Sequence, residues 1–204
     1  MELVAENLTR SFGRRRIVGP LSLRVAPGTV LGVAGPNGSG KTTLVKTLAG
    51  LLRPTTGAVF LEESGTRRAP RDASESIGWV APDLALYGEL TASENLRFFA
   101  RLHGRPSGID WADAALAGVG LDPKRIASTP LRALSTGQRQ RVKLVYATLH
   151  EPAVLFLDEP SSNLDDAGRA VVARFVEAQR ARGVAVLASN DAGDLSLASE
   201  RVTL

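Results

Sequence analysis

A glycine-rich run with one lysine near its end has the residue types and spacing that bind phosphate. The run consists of Gly35, Pro36, Asn37, Gly38, Ser39, Gly40, Lys41, Thr42 and Thr43. Glycines let backbone N–H groups curl around phosphate oxygens, and the N-terminus of a following helix favours negative charge. Lys41 supplies a positive charge for β- and γ-phosphates, and the Thr42 hydroxyl is a ligand for Mg²⁺. The pattern predicts a site for a nucleoside triphosphate with Mg²⁺, and a glycine-rich turn without a ligand is the alternative.

Two adjacent acidic residues follow a second apolar run. Residues 154–157 are all apolar, and Asp158, Glu159 and Pro160 come next. Ligands in open α/β sheets bind at the carboxyl ends of the strands, so a buried strand here would deliver both carboxylates to that edge. Asp158 fits the shell of Mg²⁺, and Glu159 fits a base that polarises a water for attack on a γ-phosphate. A helix cap or a solvated turn is the alternative interpretation of the pair.

A third motif, Leu134-Ser135-Thr136-Gly137-Gln138, lies just before a helical stretch. Ser135 is a favourable N-cap residue, and its hydroxyl together with the N–H of Gly137 would form an anion site. A helix start without a ligand explains Ser135 as well. The motif resembles the Leu-Ser-Gly-Gly-Gln signature of ABC ATPases, with Thr136 in place of the first glycine. The phosphate loop, the signature and the acidic pair follow the order found in that family, so the resemblance covers nearly the whole chain.

The resemblance implies an ATPase that works as a pair of domains. In the family, the signature of one subunit contacts the γ-phosphate held by the phosphate loop of another. Ser135, Gly137 and Gln138 are therefore expected to bind ATP across a homodimer or heterodimer interface. Phe12 resembles the aromatic residue that stacks on adenine, although packing in the core explains it as well. The segment Ser161-Ser162-Asn163-Leu164-Asp165 resembles the D-loop of the family.

Two positions depart from the family pattern. Pro82 lies at or next to the place of a glutamine that contacts magnesium and water in similar proteins. Asn190 takes the place of a histidine that touches the γ-phosphate. Asparagine donates a hydrogen bond but cannot carry positive charge or relay a proton. Asn190 is therefore expected to act in catalysis beside Lys41 and Glu159, with slower hydrolysis than in a histidine-bearing relative.

Apolar strands and helical patterns alternate along the chain and would position these motifs. Continuous apolar runs predict buried parallel strands, at residues 30–34, 77–80, 154–157 and 184–188. Alternating apolar and polar residues predict half-exposed antiparallel strands, at 21–25 and 57–62. Helical patterns with glycine and proline breaks occupy 92–102, 111–118 and 122–126. The polar patch at 63–70 is predicted to be a surface loop that joins subdomains.

These elements, together with the resemblance, predict an α/β fold of the ABC ATPase type. It would contain a P-loop NTPase core with a parallel sheet, an antiparallel β subdomain and an inserted α-helical subdomain. Residues 1–204 would form a single domain, with the core at 1–87 and 136–204 and the helical subdomain at 88–135. Residues 84–90 lie where the family receives a coupling helix from a membrane subunit.

The composition narrows the classes of function. A chain of 204 residues, 44% hydrophobic and 23% charged, fits one domain with a full core. No run approaches the roughly 18 apolar residues of a membrane-spanning helix, and the acidic start lacks the pattern of a secretory signal. The absence of cysteine excludes disulfides and thiol chemistry.

The arginine clusters at 14–16 and 67–68 are interpreted as solvated surface, with anionic lipid or nucleic acid as the alternative. His103 and His150 are interpreted as surface or helix-end residues.

We therefore expect an ATP-binding and ATP-hydrolysing subunit, peripheral on the cytoplasmic face of the cell membrane, that powers separate membrane-spanning transporter subunits. Residues 94–104 look like exporter-type subunits, and the compact length resembles the ATPase of the haem exporter used in cytochrome c maturation.

One alternative is a soluble ABC protein that acts on nucleic acid or ribosomes. The chain has one phosphate loop, one signature and no heptad run, so no nucleic-acid partner is expected. The other is a hydrolysis-impaired nucleotide-binding partner, which Pro82 and Asn190 favour and the intact Glu159 disfavours.

Overall fold

A parallel sheet of five strands forms the centre of the computed structural model, which describes all residues 1–204. Its spatial order is β6-β7-β8-β3-β9, and every pairing is parallel. The strands are β3 Val30–Ala34, β6 Ile77–Val80, β7 Val154–Asp158, β8 Val184–Ala188 and β9 Glu200–Thr203. The first four confirm the predicted apolar strands. The edge strand β9 was not predicted, because most of its residues are polar and exposed.

A second, antiparallel sheet has the order β2-β1-β4-β5. Its strands are β1 Glu2–Phe12, β2 Arg15–Val25, β4 Thr56–Glu63 and β5 Thr66–Arg68. The predicted strands at 21–25 and 57–62 are parts of β2 and β4. Strand β1 was not predicted, because its first apolar residues are consecutive and buried rather than alternating, and irregularities interrupt its register with both neighbours.

The polar patch at 63–70 is a β-hairpin within this sheet, so the prediction of a loop joining subdomains was wrong. Ser64 and Gly65 have φ values of 50° and 79°, as a two-residue hairpin turn requires. Strand β5 then pairs with β4, and Arg67 donates to both Glu6 and Glu62 at 2.8 Å. The patch is exposed because β5 is an edge strand.

Seven α-helices cover the parallel sheet and the region between its strands: α1 Lys41–Leu48, α2 Ala92–Leu102, α3 Ile109–Gly118, α4 Pro123–Ile126, α5 Thr136–Thr148, α6 Asp166–Arg180 and α7 Ala192–Ser196. Helix α2 has the predicted bounds, and its N-cap Thr91 forms a reciprocal capping box with Glu94. Helix α3 begins two residues before the predicted 111–118. No helix is both long and apolar enough to cross a membrane.

The core has two halves, one on each face of the parallel sheet. Successive residues of a strand point to opposite faces. In β7, Leu155 and Leu157 therefore belong to the half formed with α2, α3, α5 and α6, whereas Phe156 belongs to the half formed with α1 and the antiparallel sheet. This double burial holds the carboxyl ends of β3, β7 and β8 firmly, and the predicted site residues follow directly from those ends.

Candidate functional site

The phosphate loop (residues 35–43) connects β3 to α1 in a conformation that depends on glycine. Gly35, Gly38 and Gly40 have φ values of 150°, 80° and 109°, which residues with a Cβ rarely adopt. Gly40 is the N-cap of α1, and a Cβ there would lie 2.6 Å from the Ile17 Cγ2 atom. The loop can therefore run close under β2 and leave the first turn of α1 directed at a ligand.

Lys41 is buried inside the curl of this loop, with a relative exposure of 6%. Its ammonium donates to the Gly35 carbonyl at 2.8 Å and to the Pro36 carbonyl at 3.3 Å. Its Nζ also lies 3.6 Å from Oε1 of Glu159. Two of the predicted catalytic residues are thus in direct electrostatic contact.

Thr42 and Asp158 meet as the predicted metal site requires. The Thr42 hydroxyl donates to Oδ2 of Asp158 at 2.7 Å, while the buried Oδ1 of Asp158 has no hydrogen-bond partner. Burial raises the pKa of the Asp158 carboxyl, the Thr42 hydrogen bond acts in the opposite direction, and the charge of Glu159 adds to the rise. A buried carboxylate with a free oxygen beside a hydroxyl is a donor set that suits a hard cation such as Mg²⁺.

Glu159 follows β7 in a left-handed backbone conformation, with φ of 48°. A residue with a Cβ is strained there. The Glu159 N–H donates to the Ala188 carbonyl of β8 at 2.8 Å, and Oε2 of Glu159 lies 3.2 Å from the Ser189 hydroxyl. The conformation brings the carboxylate to the phosphate loop, which supports a catalytic assignment over a helix cap or a solvated turn.

A cavity of about 470 Å³ joins the phosphate loop to the antiparallel sheet. It is lined by Phe12, Arg15, Ile17, Asn37, Gly38, Gly40, Lys41, Thr42, Thr43 and Glu159. Phe12 is 49% exposed, so it does not pack in the core, and the guanidinium of Arg10 lies 4.3 Å from the centre of its ring. Arg15 and Ile17 were not predicted as site residues, and Arg15 reaches the cavity because it pairs with Phe12 across the β1–β2 hairpin.

Asn190 lies beside the phosphate loop, as the resemblance implied. Its side-chain amide donates to Oδ1 of Asn37 at 2.9 Å. Asn37 lines the cavity, so a group bound between Lys41 and Glu159 would lie near the amide of Asn190.

The signature residues form a second site, separate from the first. Ser135 is the N-cap of α5, its hydroxyl accepts from the Gln138 N–H at 3.2 Å, and the Gln138 side chain accepts from the Ser135 N–H at 2.9 Å. These residues lie at a second cavity, of about 640 Å³. Its lining includes Ser135, Gly137, Gln138 and Asn163. The residues lining this cavity and those lining the cavity at the phosphate loop have no member in common.

Around Pro82, cationic side chains hold the loop where similar proteins have a glutamine. Lys143 of α5 donates to the carbonyls of Ala81 at 3.2 Å and Pro82 at 2.9 Å. Lys46 of α1 forms an ion pair with Asp83 at 2.5 Å. Burial lowers the pKa of Lys143, and the nearby charge of Arg139 adds to the effect. These lysines were not predicted to contact the loop, since nothing in their local pattern marks them.

The remaining predicted features, apart from Arg15, lie away from the cavity at the phosphate loop. Residues Arg14, Arg15 and Arg16 are exposed, whereas Arg67 and Arg68 form ion pairs with carboxylates of their own surface. His103 and His150 lie at the ends of α2 and α5, and their rings stack with centroids 4.5 Å apart.

Comparisons with known proteins extend these observations. The sequence matches the profile of the ABC transporter family over residues 18–162. It is 32% identical over 200 residues to the probable multidrug ABC transporter ATP-binding protein YbhF of Escherichia coli (strain K12), covering 98% of this chain and 35% of that protein. The chain thus spans well under half of that relative.

In two further comparisons, the matched region covers most of this chain and most of the other protein. The cytochrome c biogenesis ATP-binding export protein CcmA 2 of Cupriavidus metallidurans is 40% identical over 162 residues, which cover 78% of this chain and 76% of that protein. The fold matches a dimeric, post-hydrolysis ATP-binding cassette solved with ADP and Pi, with a TM-score of 0.83 and 22% identity over 99% of this chain and 94% of that one. At this level of identity the structural match supports the fold alone.

Proposed function

The chain belongs to the ABC transporter family of ATP-binding proteins, and on that premise we propose that it binds and hydrolyses ATP to power transport through separate membrane-spanning subunits. One observation carries the proposal. Lys41, Thr42 and Glu159 line a single cavity, and Asp158 accepts a hydrogen bond from Thr42, although Lys41 and Glu159 are more than a hundred residues apart in the sequence.

The side chains divide the work of phosphoryl transfer. Lys41 would neutralise the β- and γ-phosphates, exchanging the loop carbonyls it now contacts for phosphate oxygens. Glu159 would accept the proton of a water that attacks the γ-phosphate. Asn190, whose amide contacts Asn37, would donate a hydrogen bond to the transferred group. The stacking surface of Phe12 would hold the adenine.

Thr42 and Asp158 would hold the Mg²⁺ that the family implies. The unpaired Oδ1 of Asp158 and the adjacent hydroxyl support this assignment. Bound there with ATP, the ion would supply positive charge to the phosphate oxygens.

A second ATPase domain, identical or related, would complete each site. The signature cavity lies apart from the phosphate loop in one chain, so Ser135, Gly137 and Gln138 would serve the phosphate loop of a partner. The structurally similar cassette bound to ADP and Pi is dimeric. ATP held between two such domains would close the pair, and hydrolysis would let it reopen.

The membrane-spanning subunits would dock on the helical side of the molecule. We assign residues 88–135 to a helical subdomain inserted in the core of 1–87 and 136–204. Tyr87 is 53% exposed and Phe98 is 40% exposed, and their rings meet edge to face at 5.4 Å. Such adjacent exposed aromatic rings suit a protein partner. Docking there would place the chain on the cytoplasmic face of the membrane.

Export is the direction of transport that the relatives favour. The relative from Cupriavidus metallidurans is named an export protein of cytochrome c biogenesis, and that from Escherichia coli a probable multidrug transporter component. Because cargo is selected by membrane subunits, this chain does not define the substrate.

The proposal is tested by measuring phosphate release from ATP over a range of protein concentrations, with Mg²⁺ and with excess EDTA. If two chains share each site, the rate of phosphate release should rise more steeply than the protein concentration. Excess EDTA should abolish phosphate release. Tight ATP binding without phosphate release would reduce the function of the isolated chain to nucleotide binding.

Phe12→Ala is expected to raise the KM for ATP about tenfold, because base stacking on an aromatic ring contributes about 1–3 kcal/mol per base. The effect on kcat should be small, since the ring is assigned to the adenine and not to the phosphates. Steady-state kinetics with ATP provide the measurement. Phe60→Ala, which removes a ring that also faces an arginine in the same sheet, is the matched control and should leave KM unchanged. If the KM of Phe12→Ala equalled that of Phe60→Ala, Phe12 would be excluded from the adenine site.

Asn190→His is expected to increase kcat about tenfold, because an imidazole can carry a positive charge beside the transferred phosphate whereas an amide cannot. Asn190→Ala, which removes the hydrogen-bond donor, should lower kcat instead. Single-turnover phosphate release separates the chemical step from product release. An unchanged rate in both variants would show that Asn190 takes no part in hydrolysis.

A further inference from the structure

A buried hydroxyl beneath the site lies within hydrogen-bond distance of two carboxylates. Ser189, which follows β8 and is fully buried, has its Oγ 2.9 Å from Oδ2 of Asp194 and 3.2 Å from Oε2 of Glu159. Asp194 is 4% exposed and also accepts a hydrogen bond from the hydroxyl of Ser161. The Asp191 N–H donates to the Ser189 oxygen at 3.1 Å. A chain of polar contacts therefore runs from Glu159 to the 161–165 segment.

Ser189 can satisfy only one of its two acidic neighbours, because a hydroxyl carries one proton. A desolvated carboxylate depends on protein donors, whereas one open to the cavity can be hydrated. Asp194 is nearly inaccessible, while 27% of the Glu159 side chain is exposed. The shorter distance also favours Asp194. The Ser189 proton therefore goes to Asp194.

The same choice leaves the carboxylate of Glu159 without a hydrogen bond from a protein donor. The carboxylate forms one ion pair, with the Lys41 ammonium, and its Oε1 lies 3.6 Å from the Lys41 Nζ, which is beyond hydrogen-bond distance. A carboxylate in this situation presents its lone pairs to the cavity, where an attacking water would lie.

We propose that Asp194 is a positioning residue for Glu159: by taking the proton of Ser189, it keeps the carboxylate of Glu159 free to accept a proton from water. The inference rests on the proposed function, because it gives Glu159 the role of base. Since Ser161 also donates to Asp194, the 161–165 segment helps to hold the arrangement.

Asp194→Asn is the decisive variant. A neutral amide competes poorly for the Ser189 proton, which then goes to Glu159, the remaining carboxylate. We expect kcat for ATP to fall about tenfold, the size of one hydrogen bond to a charged group, with KM changed less than twofold. Ser189→Ala removes the proton and should stay within about threefold of the unmodified chain. In the Ser189→Ala background, Asp194→Asn should have no further effect on kcat.

The double variant separates positioning from a merely structural role. If Asp194→Asn lowers kcat equally with and without Ser189, the carboxylate acts through Ser161 or through folding, and the inference is overturned. Should Asp194→Asn not fold, as judged by thermal unfolding, Ser189→Ala decides alone: a loss as large as that of Glu159→Gln overturns the inference. Asp110→Asn, an exposed aspartate in α3, is the matched control. Turnover retained in Glu159→Gln would instead contradict the proposed function.

Discussion

Glu159→Gln is expected to lower ATP turnover at least about a hundredfold while leaving ATP binding intact, the effect of removing a general base. Glutamine has nearly the shape of glutamate and still reaches Ser189, but it cannot accept a proton from water. The strained backbone at this position, with φ of 48°, is the same in both proteins, so the change should be electrostatic rather than structural. Phosphate release and equilibrium binding of ATP are the two measurements.

Glu177→Gln provides the matched control. Glu177 is an exposed residue of α6 whose only ion pair, with Arg180, is on the same helix. Its substitution should not alter turnover. If Glu159→Gln hydrolysed ATP as fast as the unmodified chain, the base would have to be another group.

Lys41→Met should weaken ATP binding by about tenfold to a hundredfold, because a hydrogen bond to a charged group contributes about 1.5–3 kcal/mol. Methionine fills most of the space left by the buried lysine stem but provides no donor. The variant also removes the cation that lies 3.6 Å from Glu159, so hydrolysis should be lost together with affinity. Fluorescence titration with a labelled nucleotide measures the first effect and phosphate release the second.

Lys124→Met is the comparison for Lys41→Met, since Lys124 is an exposed lysine of α4 without an ion pair. It should bind ATP normally. Unaltered affinity in Lys41→Met would mean that the loop glycines, and not the lysine, hold the phosphates.

Features built from residues close together in the sequence were predictable. Strands β7 and β8 are continuous apolar runs because helices and a second sheet cover both their faces. Helix α2 carries its own start signal in Thr91 and Glu94. The phosphate loop was recognisable because its glycines must adopt positive φ within a few residues of Lys41.

Features that depend on distant neighbours were not predictable from local patterns. Strand β9 is mostly polar and becomes a strand only by pairing with β3. The Ser64-Gly65 turn was a usable signal for the β4–β5 hairpin, but the polarity of the edge strand concealed it. Asp194 accepts a hydrogen bond from Ser161, which lies 33 residues earlier in the chain, and no local spacing predicts that contact.

The separation of the two cavities within one chain has a genetic consequence. If each complete site combines the phosphate loop of one chain with the signature of another, a chain altered at Lys41 and a chain altered at Ser135 bring both lesions to one site. The other site of that mixed pair contains neither lesion. Two alleles that are each inactive could then complement one another in the same cell, whereas two alleles altered in the same element could not.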